Sequence, residues 1–155
     1  MRLRPARPAD EALLLRWAND PDARAASLSP APIQPGVHHE WLARFLAHPQ
    51  AGRIWIGVDG GHAIGVVRFE LVADRLVVSI ALDPAERGRG SSRALLEGGL
   101  QNARKAFPGV RFSASVRPGN DASLALFRGA GFGPPDAAAG IGASATESIV
   151  VLERD

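Results

Sequence analysis

Between Leu76 and Leu96 the chain reads LVVSIALDPAERGRGSSRALL, an apolar run, an Asp-Pro break, then arginine and glycine leading into a helical pattern. A strand that delivers a glycine turn to the start of a helix gathers unpaired backbone N–H groups and the positive end of the helix dipole in one place, which favours an anion. The turn is Arg87, Gly88, Arg89, Gly90, Ser91 and Ser92, and its two glycines let backbone approach a ligand closely. Two nucleotide-binding patterns are excluded: no Gly-Lys-Ser/Thr follows, and G-x-G-x-x-G breaks at Arg93. Taken alone, the turn fits an anion cradle or a plain helix start equally well.

Proton chemistry has fewer candidates. There is no cysteine, hence no thiol nucleophile, disulfide or thiolate metal site. His38 falls with Trp41 and Phe45 on one helical face while His39 turns away, so His38 is either a satisfied core histidine or a base of near-neutral pKa. Glu70 is the carboxylate alternative, unless strand alternation points it to solvent. Ser79, the lone hydroxyl of its strand, either relays a proton or hydrogen-bonds a neighbour. No HExxH occurs, and His48 and His62 stand apart, so no metal is expected.

The elements that must position these residues read as follows. A strand through Leu3 precedes a helix opening near Asp10, with Leu13, Leu14 and Trp17 on one face and NDPD ending it. SLSPAPIQPG is a loop, and a second helix spans about 37–48. RIWIGV, the turn DGG, HAIGVVRFEL and RLVVSIAL make an antiparallel meander. A long helix from Gly90 to Phe107, the strand VRFSASV, a helix capped by Asn120 or Asp121 and a last strand SIVVLER complete the chain. The intervening GPPDAAAGIGASA is small-residue-rich and reads as a mobile loop.

At 155 residues the chain is long enough for one cored domain, 1–155, and short for two. The pI of 10.3 suggests nucleic acid. The net charge of only +2, and arginines scattered from Arg2 to Arg154 without a dense stripe, favour a solvated surface with a few anion contacts instead. The N-terminus lacks a signal-peptide core and no apolar run approaches membrane-spanning length, so a cytoplasmic protein without membrane contact is expected.

RGRGSS resembles the acyl-CoA pyrophosphate loop R/Q-x-x-G-x-G/A of the GNAT family of N-acetyltransferases. Arg87 and Gly90 match, and Ser92 stands in the final Gly/Ala place. NDASLALFRGAGF resembles the family's second signature through Asn120, Ser123, Leu126, Phe127, Gly131 and Phe132. The resemblance implies an α/β (α+β type) fold, a central mixed, largely antiparallel sheet flanked by helices, and acetyl-CoA as co-substrate. It implies that Ile80 and Leu82 offer backbone groups to the pantetheine arm, that a Leu82 N–H faces the thioester oxygen, and that Asn120, Ser123 and Phe127 complete the cofactor site. Many relatives carry tyrosine at the position of Phe127 to protonate the leaving thiolate; phenylalanine has no proton to give.

The N-terminal segments RWANDPDARAAS and PIQPGVHHEWL resemble, through Trp17, Asn19, Asp20, Arg24, Ser27, Ile33, His38 and Trp41, the members that acetylate nucleotide-linked amino sugars. The implied substrate set is Asn19, Arg24, Ser27, His38, Trp41 and Arg68, with arginines suited to a diphosphate. Peptide N-terminal acetylation of the ribosomal-protein type and a noncatalytic acyl-CoA-binding domain are the alternatives. A monomer or homodimer is expected.

Overall fold

The computed structural model describes residues 1–135 and 150–155. Six strands form one sheet in sequential order: β1 (Arg2–Pro5), β2 (Gly52–Asp59), β3 (His62–Val72), β4 (Arg75–Leu82), β5 (Arg111–Val116) and β6 (Val150–Arg154). All neighbours are antiparallel except β4 and β5. The expected mixed, largely antiparallel sheet is therefore present. Gly60 and Gly61, both at positive φ, make the β2–β3 turn that DGG announces.

Register separates the two faces of the sheet. Ile54 pairs with Arg68 and Arg68 with Ser79, so these three side chains, with Ile56 and Val66, share one face. Trp55, Val67, Phe69 and Val78 share the other.

The second face is covered by α4 (Ser91–Ala106) and α5 (Asp121–Gly129). Leu95, Leu96, Leu100 and Ala103 of α4 are fully buried against Val67 and Phe69. Gly99 allows that approach, since a Cβ there would lie 2.7 Å from Val67 Cγ1.

The first face is covered by α1 (Glu11–Ala18) and α3 (Pro35–Leu46), which bury Leu14, Trp17 and Leu42 on Ile54 and Ile56. A short helix, α2 (Pro21–Ala26), lies between them. It corrects the expectation that NDPD simply ends a helix: Asp20 accepts a hydrogen bond from Ala23 N–H and Pro21 occupies the first turn. Of the two cap candidates for α5, Asn120 serves, its carbonyl oxygen accepting from Ser123 N–H. The small-residue stretch from 136 onward, with the first two residues of the expected last strand, lies outside the described residues.

The parallel seam is short. β4 and β5 pair only at Arg75–Arg111, Leu76–Phe112 and Val77–Ser113, after which they diverge. The rest of β4, from Val78 to Leu82, borders a gap in the sheet.

Candidate active site

A cleft of about 760 Å³ passes through that gap. On one side it is lined by Trp17, Arg24, His38 and Trp41 from the α1–α3 layer, on the other by Asn120, Ser123 and Phe127 from α5. Its volume is that of a small-molecule site.

Backbone alternation tells which groups β4 presents to the gap. Asp83 N–H bonds Ile64 O on β3, so Ala81 and Ser79 also face β3, and Ile80 and Leu82 face the gap. An extended amide-bearing chain laid beside Ile80 and Leu82 would meet strand-like donors and acceptors there.

Beyond β4, Asp83 caps a single turn (Pro84–Glu86), accepting from Ala85 N–H. Gly88 and Gly90 then both sit at φ 76°, and Gly90 is the residue from which α4 starts. No side chain caps α4, and a Cβ at either glycine would point into open space. The N–H groups of Ser91 and Ser92 thus have no capping side chain and can meet an anion at the start of α4, although none of Arg87 to Ser92 lines the cleft. Arg89 is exposed and lies 3.7 Å from Glu86. These residues fit a diphosphate: free donors, a helix dipole and no obstructing side chain.

Arg87 is held differently from a free anion clamp. Its guanidinium donates to Asp20, the N-cap of α2, at 2.6 Å and to Asp22, in its first turn, at 3.0 Å. Arg87 in turn holds the Asp20 carboxyl below the usual range.

On the α1–α3 side, His38 is buried, packs against Trp41 at 5.5 Å between ring centres, and its Nδ1 has no hydrogen-bond partner among the described residues. Burial pushes its imidazole below the usual histidine range, with Glu11 pulling weakly the other way. Neutral, unpartnered and lining the cleft, it is chemically equipped to accept a proton. Arg68 lines the same space, its Nη2 donating to Ser79 Oγ at 3.3 Å and its guanidinium lying 5.1 Å from the Trp41 ring centre. Ser79 therefore has a neighbour to bond.

Other candidates fall elsewhere. Asn19 is absent from the cleft lining: its amide donates to Ile33 O and accepts from Ile33 N–H, each at 2.8 Å, and so clamps the loop after α2. Arg24 lines the cleft, yet most of its donors go to Ala18, Ser29 and Ala31 carbonyls. Ser27 ends α2, also lining the cleft, and accepts from Ser29 N–H. Glu70 shares a strand face with Arg68 but does not line the cleft. Phe127 is buried edge-on against Phe132 while presenting to the cleft. Among the described residues, His, Asp and Glu form no group of three able to hold a metal, and no helix is long and apolar enough to cross a membrane.

Sequence reading missed the residues that tie the cleft's two walls together. Asp83 accepts from Trp17 Nε1 at 2.8 Å and from Arg16 at 3.0 Å, so α1 is joined to the end of β4. Arg117, just past β5, donates to Ala25 O on α2. Their partners are more than sixty residues away in sequence, and no local pattern signals such a pair.

No curated protein matches the chain in sequence. Solved structures with the same fold include three acetyltransferases that match nearly the whole chain. One is a ribosomal-protein-alanine N-acetyltransferase from Brucella melitensis (21% identity, TM-score 0.77, 99% of each chain covered). Another is a spermidine N-acetyltransferase from Vibrio cholerae in complex with CoA and spermine (14% identity, TM-score 0.79, 99% of this chain and 94% of that one). The third is a phosphinothricin acetyltransferase from Sinorhizobium meliloti with acetyl-CoA (20% identity, TM-score 0.78, 99% of this chain and 86% of that one). The model of the GNAT acetyltransferase domain matches residues 1–133, which hold five of the six strands, the glycine turn and every residue lining the cleft, and the chain belongs to the GNAT acetyltransferase family.

Proposed function

We propose that this acetyl-CoA-dependent N-acetyltransferase acts on the primary amine of a small acceptor, a nucleotide-linked amino sugar. The observation that carries the reading is the cleft's passage through the sheet. A thioester laid along the free edge of β4 beside Ile80, which lines the cleft, from the α5 side would meet an acceptor entering from the α1–α3 side.

Acetyl-CoA supplies the activated acyl group. The chain's residues then have distinct tasks. Ser91 and Ser92 N–H groups with the α4 dipole would hold the diphosphate. The Leu82 N–H, facing the gap, would donate to the carbonyl oxygen as negative charge grows there, favouring the transition state over the ground state. His38, directly or through water, would take the amine's proton. Phe127 would contribute contact area and no proton. A thiol leaves readily enough, with a reference pKa of roughly 8.5, to manage without a dedicated acid.

Support for the sugar nucleotide comes from the acceptor wall itself. Trp41 offers an aromatic face, and Arg24 and Arg68 offer guanidinium donors, within a cleft wide enough for more than an amine. A thiol-release assay with acetyl-CoA against nucleotide-linked amino sugars, N-terminal peptides and polyamines tests it. Turnover is expected on the sugar nucleotides; turnover on peptides alone would refute the substrate.

A further inference from the structure

Arg68 is a cation that makes no ion pair among the described residues. Among the described residues only one of its five N–H donors reaches an acceptor, Ser79 Oγ, and its Nε is shut off from solvent without a partner. No carboxylate lines the cleft among the described residues, whereas Arg24, Arg44 and Arg68 all do. Arg24 lies near enough to oppose Arg68's charge, and Glu70 near enough to favour it, although Glu70 neither hydrogen-bonds Arg68 nor enters the cleft. The guanidinium is nonetheless fixed in place, against the Trp41 ring and the Ser79 hydroxyl. Holding such a charge unpaired opposes stability, and the imbalance is relieved when an anion arrives.

We propose that Arg68 selects acceptors by charge: the acetylated amine belongs to a molecule that also carries an oxyanion, phosphate or carboxylate, which Arg68 binds while the cleft turns polycationic amines away. The inference rests on the acetyl-transfer reading and assigns to Arg68 the recognition of the acceptor's anionic group, whichever acceptor carries it. Its geometry is specific. Arg68 stands opposite Ser79, three residues before Leu82 on β4, which places the anion within about 10 Å of the reacting amine at the rise of a strand. A guanidinium presents paired donors that match either oxyanion.

The test compares acceptors that differ only in the anion. A nucleoside-diphosphate-linked amino sugar is set against the same sugar without the nucleotide, and an α-amino acid against its carboxamide, with spermidine as the polycation. The anionic member of at least one pair is expected to be preferred by about 30-fold or more in kcat/KM, as charge-assisted hydrogen bonds give. Which pair shows it identifies phosphate or carboxylate. Arg68→Gln should bring that ratio close to one, chiefly through KM, and Arg68→Lys should restore part of it; CoA binding by calorimetry checks that both variants fold. A ratio unaltered by R68Q, or spermidine used as well as the anionic acceptors, overturns the proposal. If CoA binds but no acceptor releases thiol, the acetyl-transfer reading is what fails. Calorimetry of the CoA-saturated protein with UDP and with glutamate then decides on Arg68: binding that R68Q weakens at least tenfold upholds the anion site, and binding insensitive to R68Q, or none, overturns it.

Discussion

His38 is 4% exposed and its Nδ1 finds no hydrogen-bond partner among the described residues, and the cost of burying a charge leaves the ring uncharged at neutral pH. Because burial lowers its pKa, the base form persists below the ordinary histidine range, and the acidic limb of activity should fall below about pH 6.5. His38→Gln keeps much of the size and hydrogen bonding while deleting the basicity. The single-turnover rate should drop by about 10²-fold and that limb should disappear, with CoA affinity intact. An unchanged rate and profile would remove His38 from the chemistry, and Glu70→Gln would be the next variant to measure. Phe127→Leu, by contrast, should weaken CoA binding and leave turnover at saturating acetyl-CoA largely in place, since only contact area is lost.

At the scale of elements, α1 and the short helix α2 form part of one wall of the cleft and are tied to the rest of the fold by side chains. Asp83 joins α1 to the end of β4 through Trp17 and Arg16, and Arg87 joins the glycine turn to the start of α2 through Asp20 and Asp22. Trp17, 1% exposed, is the most deeply seated of these partners. Asp83→Asn keeps an oxygen for the indole N–H but removes the charge that both partners favour, and should cost about 1–2 kcal/mol in urea unfolding while raising the acceptor KM. Gly99→Val would drive a side chain into Val67 and Phe69, and should lower stability by about 1–3 kcal/mol without touching either wall of the cleft.

The elements were largely legible in sequence because local signals set them: DGG gave the hairpin, Gly90 the start of α4, and Asn120 the cap of α5. Even α2 has its signal, an aspartate before proline, although Asn-Asp-Pro equally suits the end of the preceding helix. The ties were not legible. Nothing near Asp83 announces Trp17, and Asn19, which looks like a ligand contact in sequence, turns out to clamp Ile33.

Across the whole molecule, acid should undo the fold in two stages. Arg4 holds Asp10, Arg87 holds Asp20, and the Trp17 N–H holds Asp83 below the usual carboxylate range. Their folded pKa values are depressed, so the stability they contribute is complete above the unfolded value of about 4 and is lost as pH falls through the folded ones. His38 acts earlier with the same sign: the unfolded chain takes up its proton near pH 6.5 while the folded one resists, so stability declines from there. Urea unfolding at a series of pH values should show a shallow decline below about 6.5, absent in His38→Gln, and a steeper one below about 4, reduced in Asp10→Asn.

The short seam between β4 and β5 has a consequence for how the native protein breathes. β3 is laddered on both sides along most of its length, by β2 and by β4. The last residues of β4 are laddered on one side only, and three residue pairs join β5 and β6 to the rest of the sheet. Amide exchange into heavy water should therefore be slowest along β3, tracking global unfolding. It should be faster at Ile80 and Leu82, and faster in β5 and β6 than in β2, through openings that leave the four-stranded part intact. A ligand laid along Ile80 and Leu82 replaces the missing strand, so CoA should slow exchange at those two amides more than anywhere else in the sheet.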